Sequence, residues 1–274
     1  MFKTALVRSG QFVVNSGAIS MMKAMGFAAS ALDAILVTRL AANGFTGPTG
    51  TLEWFAACAN AAQASTEVDL EPNRMRLPKV AFKRLPIQIE LAAVADAGTK
   101  LSSRLRGRAN DIRAIRVETY PGIIERVADA SKFRPETRRT ADHSLPVCLA
   151  MALLDGDVSL AQFEKDRWRA ANVTRLVQQT TVSPGAALMA KSPDGRGAVV
   201  EVQMQDGTSV RETVEVPEGD ARRPLSPTSL QAKFKSAAVP VLGAAGSERL
   251  LAQVDALDSL ADMSDLARAL AKPG

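Results

Sequence analysis

Apolar residues between Ile19 and Ala42 recur at three- and four-residue spacing, through Met22, Met25, Ala29, Leu32, Ile35, Leu36 and Leu40. That period predicts a helix over 18–43. Asn43-Gly44 closes it, because glycine tolerates left-handed backbone at a helix end. Phe45 to Gly50 reads as a loop and 51–64 as a second short helix. Both helices are almost all alanine on one side, which lets helices approach closely. The pattern breaks over 66–86, where Glu67, Asp69, Glu71, Pro72, Pro78 and Pro86 replace the alanines. A domain boundary is expected near 72–78.

A helical period resumes at about 87–105 through Ile89, Ala93, Ala97, Leu101 and Leu105, with Gly107 after it. Ala114 to Thr119 alternates apolar and polar residues, as a half-buried strand does. Pro121 opens a short helix ending near Asp129, and 131–142 reads as a polar, arginine-rich loop. Ser144 to Leu154 is apolar and stops at Asp155-Gly156, which predicts a buried helix whose first turn accommodates Pro146. Ser159 with Gln162 has capping-box spacing for the next short helix, and another helix is expected at 168–178. Over 198–216, Val200, Val202 and Met204 alternate with polar residues, and Val210, Val214 and Val216 return beyond Asp206-Gly207. That is a hairpin with a tight turn. Helices are expected at 227–237, 247–258 and 263–271.

Helices, a mixed block, then helices again predict an α+β protein. The simplest arrangement is a partial all-α domain built from 1–74 and a closing segment, 223–274. An α+β lid domain, 75–222, is inserted between them.

Composition narrows the chemistry. Hydrophobic residues make up 46% of the 274 positions and charged residues 23%, enough for a real core. Aromatics are only 4%, so that core is aliphatic. The formal net charge of +5 suits an anionic ligand but is weak as a nucleic-acid signature. The run Arg104, Arg106, Arg108, Arg113 and Arg116 lacks interleaved aromatics and reads as a solvated face. Two cysteines, Cys58 and Cys148, exclude a disulfide scaffold and a four-cysteine zinc site. Both sit in apolar helical patterns as packing residues. One histidine, His143, excludes a histidine metal cluster and any two-histidine mechanism within this chain. The glycines at 185, 195 and 197 match no phosphate-loop spacing. Lys23, Asp33 and Arg39 interrupt the most apolar stretch, so a packed helix is expected there rather than a membrane span. The first residues do not read as a secretory signal, and the cytoplasm is the expected compartment.

The run Thr140-Ala141-Asp142-His143-Ser144-Leu145-Pro146-Val147, continuing to Asp155-Gly156, resembles a hallmark of the 2-methylcitrate dehydratase/cis-aconitate decarboxylase (MmgE/PrpD) family. Other segments agree in order. Ser20 to Ala24 with Gly44-Phe45-Thr46-Gly47-Pro48 is similar to the family's loop–helix–TGP segment. Phe82-Lys83-Arg84-Leu85-Pro86 resembles its lysine-bearing F-K-x-[YF]-P junction, and Ile115 to Thr119 its central strand. Arg223 to Ser226, with Lys233-Phe234, resembles its closing segment.

The resemblance implies a large helical domain with a smaller α+β lid, no metal or redox cofactor, and usually a homodimer. It implies lyase chemistry on tricarboxylic acids, by dehydration or decarboxylation. Such a site needs cations to clamp carboxylates, a base to take a proton α to a carboxylate, and an acid to protonate a leaving hydroxyl or a carbanion. His143, Lys83 and Lys23 are the candidate catalytic groups. Arg84, Gln88, Glu90 and Ser144 are the candidate substrate-binding groups, and no metal ligands are expected.

Each candidate also has a plainer reading. His143 could cap a helix start, Lys83 and Arg84 could be surface charges, and Lys23 a solvated one. Gln88 and Glu90 could lie on the exposed side of the 87–105 helix. Counting from the lysine junction, a position where decarboxylases carry histidine falls at Gln88, with neighbouring ones at Glu90 and Ala92. A frequent family tyrosine falls at Val147. The family's helical domain begins before the point matching Met1. Three explanations therefore stand: one half of a split enzyme completed by an N-terminal-half subunit, a non-catalytic dimeric or regulatory relative, or different chemistry with Glu90 or Lys83 as base. The first two are favoured together, because a helical domain lacking helices exposes an apolar face that wants a partner. The expected ligand is a small polycarboxylate; no nucleic acid or membrane is expected.

Overall fold

The structure is a computed structural model that describes residues 19, 22–51, 54, 57, 80–192 and 195–270, the side chains of 22–27 excepted. The expected boundary at 72–78, Ser20, Cys58 and most of the 51–64 helix lie outside the described residues. The chain divides into two units, Met1–Val80 with Leu85–Pro217, and Ala81–Arg84 with Glu218–Gly274. Helices and one mixed sheet make it an α+β protein. Among the described residues no helix is long and apolar enough to cross a membrane.

In the first unit, helix α1 (Met22–Ala42) covers most of the predicted 18–43 span. A sheet in the order β2-β1-β3-β4 forms the centre of the unit. Its strands are β1 (Ile112–Thr119), β2 (Thr180–Pro184), β3 (Ala198–Met204) and β4 (Ser209–Val214). β1 runs parallel to β2 and antiparallel to β3. The predicted hairpin is β3–β4, turned at Asp206-Gly207 with Gly207 at φ 84°. A register shift between Ile112 and Ala114 lets Ile112 and Ile115, three apart, both point into the core. On the opposite face Arg116 stands across from Glu201, which stands across from Arg211.

Helix α2 (Ala92–Leu105) packs against β3 and β4 and also against α6 (Leu145–Asp155). A 3₁₀ turn, Ile89–Leu91, precedes α2. Between β1 and α6 lie α3 (Pro121–Val127), α4 (Ala130–Phe133) and α5 (Arg138–Ala141). The last two correct the expectation of a loop over 131–142. They are single turns whose first N–H groups are taken by the side chains of Asp129 and Thr137. Every residue of α6 from Leu145 to Leu153 is buried, and Gly156 caps it in left-handed backbone at φ 73°. After it come α7 (Leu160–Glu164) with the predicted Ser159/Gln162 capping box, α8 (Ala171–Gln178) and α9 (Ala186–Lys191). β2 has no counterpart in the sequence reading.

Three of the arginines read as a solvated face are paired: Arg104 with Glu212 at 3.3 Å, Arg108 with Asp206 at 2.7 Å and Arg116 with Glu201 at 3.8 Å. Exposed pairs of this kind add little stability, but they offset three of the five charges that the run would offer a polyanion.

In the second unit, Phe82 N donates to Gly219 O at 2.7 Å, and Arg84 pairs with Glu218 at 3.3 Å. Helix α10 (Pro227–Asp255) takes in the expected 227–237 helix and most of the expected 247–258 one. It continues through Pro240 and breaks at Gly243, whose φ of 71° leaves the helical region. Lys235 and Glu248 pair at 2.6 Å across that break. α11 (Met263–Ala269) follows a 3₁₀ turn at Leu257–Ser259. Leu230, Phe234, Val241, Leu250 and Val254 line an apolar groove of about 710 Å³ within this unit.

Candidate active site around His143

Asp142, His143 and Ser144 form the bend between α5 and α6. Asp142 N donates to Arg138 O at 2.9 Å, His143 N to Thr140 O at 3.2 Å, and Ser144 N to Ala141 O at 3.0 Å. Thr140 Oγ1 in turn accepts from Ile19 N at 3.2 Å. The main chain that carries the histidine is therefore tied back onto α5. His143 Nδ1 hydrogen-bonds Asp142 Oδ1. The imidazole is 13% exposed, and among the described residues its Nε2 has no hydrogen-bonding partner. Asp142 Oδ2 lies 3.6 Å from Arg139 Nη1. The arrangement is a buried carboxylate holding an imidazole whose far nitrogen is open, just before the N-terminus of a buried helix. Such a terminus favours anions.

Asp142 O accepts from Gln88 N at 3.0 Å, which joins a second group of polar residues to the first. Gln88 is half-buried and caps the 3₁₀ turn, its side chain accepting from Glu90 N and donating to Glu90 Oε2 at 2.7 Å. Glu90 is only 14% exposed and forms a two-pronged pair with Arg126, Nε to Oε2 at 2.9 Å and Nη2 to Oε1. The Glu90 hydrogen bonds raise the Arg126 guanidinium above its ordinary value, against the opposing effect of burial. Gln88 is the N-cap of the turn and Glu90 lies within it, and both are half-buried.

Ser144 is fully buried and is the N-cap of α6, accepting from Val147 N at 3.2 Å and donating to Lys132 O at 2.6 Å. Lys132 is itself 0% exposed and reaches Asp129 Oδ2 at 3.0 Å. Burial alone would raise the Asp129 carboxyl, but hydrogen bonds from Ser131 and Lys132 hold it below the ordinary carboxylate value. Ser144→Ala removes a cap and leaves Lys132 O without its hydroxyl donor, so it is expected to cost about 2 kcal/mol. The midpoint of urea unfolding measures this.

Lys83 is exposed and Arg84 half-buried in the second unit, whereas His143, Ser144, Gln88 and Glu90 belong to the first. Lys23 lies in α1, with its side chain outside the described atoms. Cys148 is buried and donates weakly to Ala141 O at 3.6 Å. Burial, and then the charge of Asp142, push its thiol well above the ordinary value, so it packs rather than reacts. Among the described residues no three His, Cys, Asp or Glu side chains gather as a metal site.

Sequence reasoning passed over Asp142, Arg126 and Arg139. Only Asp142 carried a signal: an acid beside the sole histidine.

A family model for the MmgE/PrpD C-terminal domain matches residues 86–259, which include the whole His143 bend. The chain belongs to the MmgE/PrpD family. Two curated relatives are cis-aconitate decarboxylases. The mouse protein (Mus musculus) is 27% identical over 198 residues, covering 71% of this chain and 40% of the relative. The human protein (Homo sapiens) is 24% identical over 200 residues, again 71% and 40%. The matched part of this MmgE/PrpD chain thus spans about 40% of the length of those relatives.

Proposed function

We propose that this MmgE/PrpD chain carries the His143 part of a lyase site acting on a small di- or tricarboxylate of the 2-methylcitrate or cis-aconitate kind. The observation that carries the reading is the Asp142–His143 pair with its open Nε2. In dehydration, Nε2 takes the proton α to a carboxylate, and the electron pair is held as an enediolate. The C–O bond then breaks, and the proton on Nε2 leaves with the hydroxyl as water. In decarboxylation, C–C cleavage releases CO₂, and Nε2–H delivers its proton to the carbanion left behind. Lys23, in the same unit as His143, is the cation proposed to clamp a carboxylate, and no metal or redox cofactor takes part.

The proposed site is completed in one of two ways, by a subunit supplying the N-terminal half of the scaffold or by a second copy of this chain in a dimer. Uncovered aliphatic side chains on α1 and α10, such as Leu32 at 68% and Val241 at 52% exposure, support a partner. The proposal sets the assembly in the cytoplasm, without nucleic acid or membrane.

A second reading is a non-catalytic relative that binds a polycarboxylate as a dimeric or regulatory subunit. The commitment of Gln88 to a cap and Glu90 to Arg126 favours it, because these positions match ones where family members carry histidine. Turnover of cis-aconitate and of 2-methylcitrate decides between the two, measured with the chain alone and with the N-terminal half of a family member. Product formation in either setting is expected. Tight binding in every setting without product would favour the second reading.

A further inference from the structure

We infer that Asp142 is the positioning residue of this site: it accepts the Nδ1 proton of His143, fixes one tautomer of the ring, and leaves Nε2 as the nitrogen that exchanges protons. The inference deepens the reading of His143 just given and rests on it for its catalytic meaning, though not for its geometry.

The two carboxylate oxygens of Asp142 have different partners. Oδ1 meets His143 Nδ1, while Oδ2 faces Arg139 Nη1 at 3.6 Å. An ionised carboxylate only accepts, so the hydrogen bond requires the proton to sit on Nδ1. Nδ1 then keeps that proton whether the ring is neutral or charged, and every gain or loss occurs at Nε2. When Nε2 takes a proton, the positive charge that forms on the ring lies against a carboxylate already oriented toward it, so little reorganisation is needed. The orientation is held by the main chain. Asp142 donates its N–H to Arg138 O at 2.9 Å and accepts Gln88 N at 3.0 Å, while His143 N is held by Thr140 O. Gln88 and the Glu90–Arg126 pair thereby act as a brace for this bend.

His143 is the only histidine in the chain, so the test is direct. In the full chain labelled with ¹⁵N-histidine, long-range ¹H–¹⁵N correlation gives one imidazole pattern. The expected result on the neutral ring is a protonated, pyrrole-type Nδ1 and an unprotonated, pyridine-type Nε2. Asp142→Asn is expected to shift the ring toward the Nε2–H form, and Asp142→Glu to retain part of the Nδ1–H population. In a turnover assay, Asp142→Asn is expected to lower kcat by about 10²-fold with KM little changed. A wild-type ring found as Nε2–H would overturn the inference without any variant having to fold. So would an Asp142→Asn chain that is folded by circular dichroism and keeps the wild-type pattern. An Nδ1–H wild-type ring in a protein with no turnover supports the role of Asp142 and counts against the lyase reading, so the two failures are separable.

Discussion

Gly98→Val is expected to destabilise the first unit by about 3 kcal/mol, the upper part of the range for overpacked interiors. Gly98 sits in α2 where it crosses α6. A Cβ there would stand 2.8 Å from Ala152 Cβ and 3.0 Å from Leu149 Cδ1, with Leu149 O at 3.5 Å. Neither helix is free to give way. α6 is buried along its length, and α2 is held from behind by β3 and β4. Valine adds two methyl groups beyond that Cβ, and its restricted rotamers in a helix leave few ways around the clash. Against this, replacing a mid-helix glycine recovers part of the roughly 1 kcal/mol that glycine costs a helix. Gly98→Ala should therefore lose less than Gly98→Val. Gly122→Ala is the control. Its Cβ would meet Arg126 Nη1 at 3.5 Å, an ordinary contact, so stability should hold or rise slightly. Urea unfolding followed by circular dichroism reads all three variants. An unchanged midpoint for Gly98→Val would mean that α2 and α6 are not in such close contact.

That helix crossing could not be read from the sequence, although the two helices could. α6 was legible because its signals are local: a proline in the first turn, an unbroken apolar run and a glycine stop. The β3–β4 hairpin was legible for the same reason. β2 was not, because Thr180–Pro184 has no alternation of its own. It is a strand only because β1 offers it a parallel edge, with Ile115 N donating to Gln179 O at 2.9 Å where the pairing begins. α4 and α5 were hidden by their length, since a single turn leaves no period to detect. Proline usually ends a helix, yet α10 continues through Pro240; the break falls instead at Gly243, where only backbone freedom permits the bend. The site divides in the same manner. His143 and Ser144 stood out in a recognisable run. The Glu90–Arg126 pair joins residues 36 apart, which no local pattern could reveal. Asp142 was overlooked because adjacent residues seldom face one another, and here a sharp bend between two helices makes them do so.

His143→Gln is expected to reduce kcat by 10²- to 10⁴-fold, the usual contribution of a positioned acid–base group. Stability should change by less than about 1 kcal/mol, because the side chain is a partly exposed residue outside the packed core. Glutamine can still donate to Asp142, so the electrostatic setting of the carboxylate is largely kept. The main-chain bonds of the bend, His143 N to Thr140 O and Asp142 N to Arg138 O, do not involve the ring. What glutamine cannot do is take a proton from carbon and return it to a hydroxyl or a carbanion. The loss should therefore appear in kcat far more than in KM. Steady-state kinetics on cis-aconitate and 2-methylcitrate, in the assembly that gives the wild-type chain its highest turnover, supplies both measurements. If kcat survives the substitution, proton transfer belongs to another group. If wild-type turnover is absent in every assembly while polycarboxylates still bind, the Asp142–His143 pair serves recognition, the ring donating from Nε2 in its protonated, imidazolium form to a carboxylate that is never transformed.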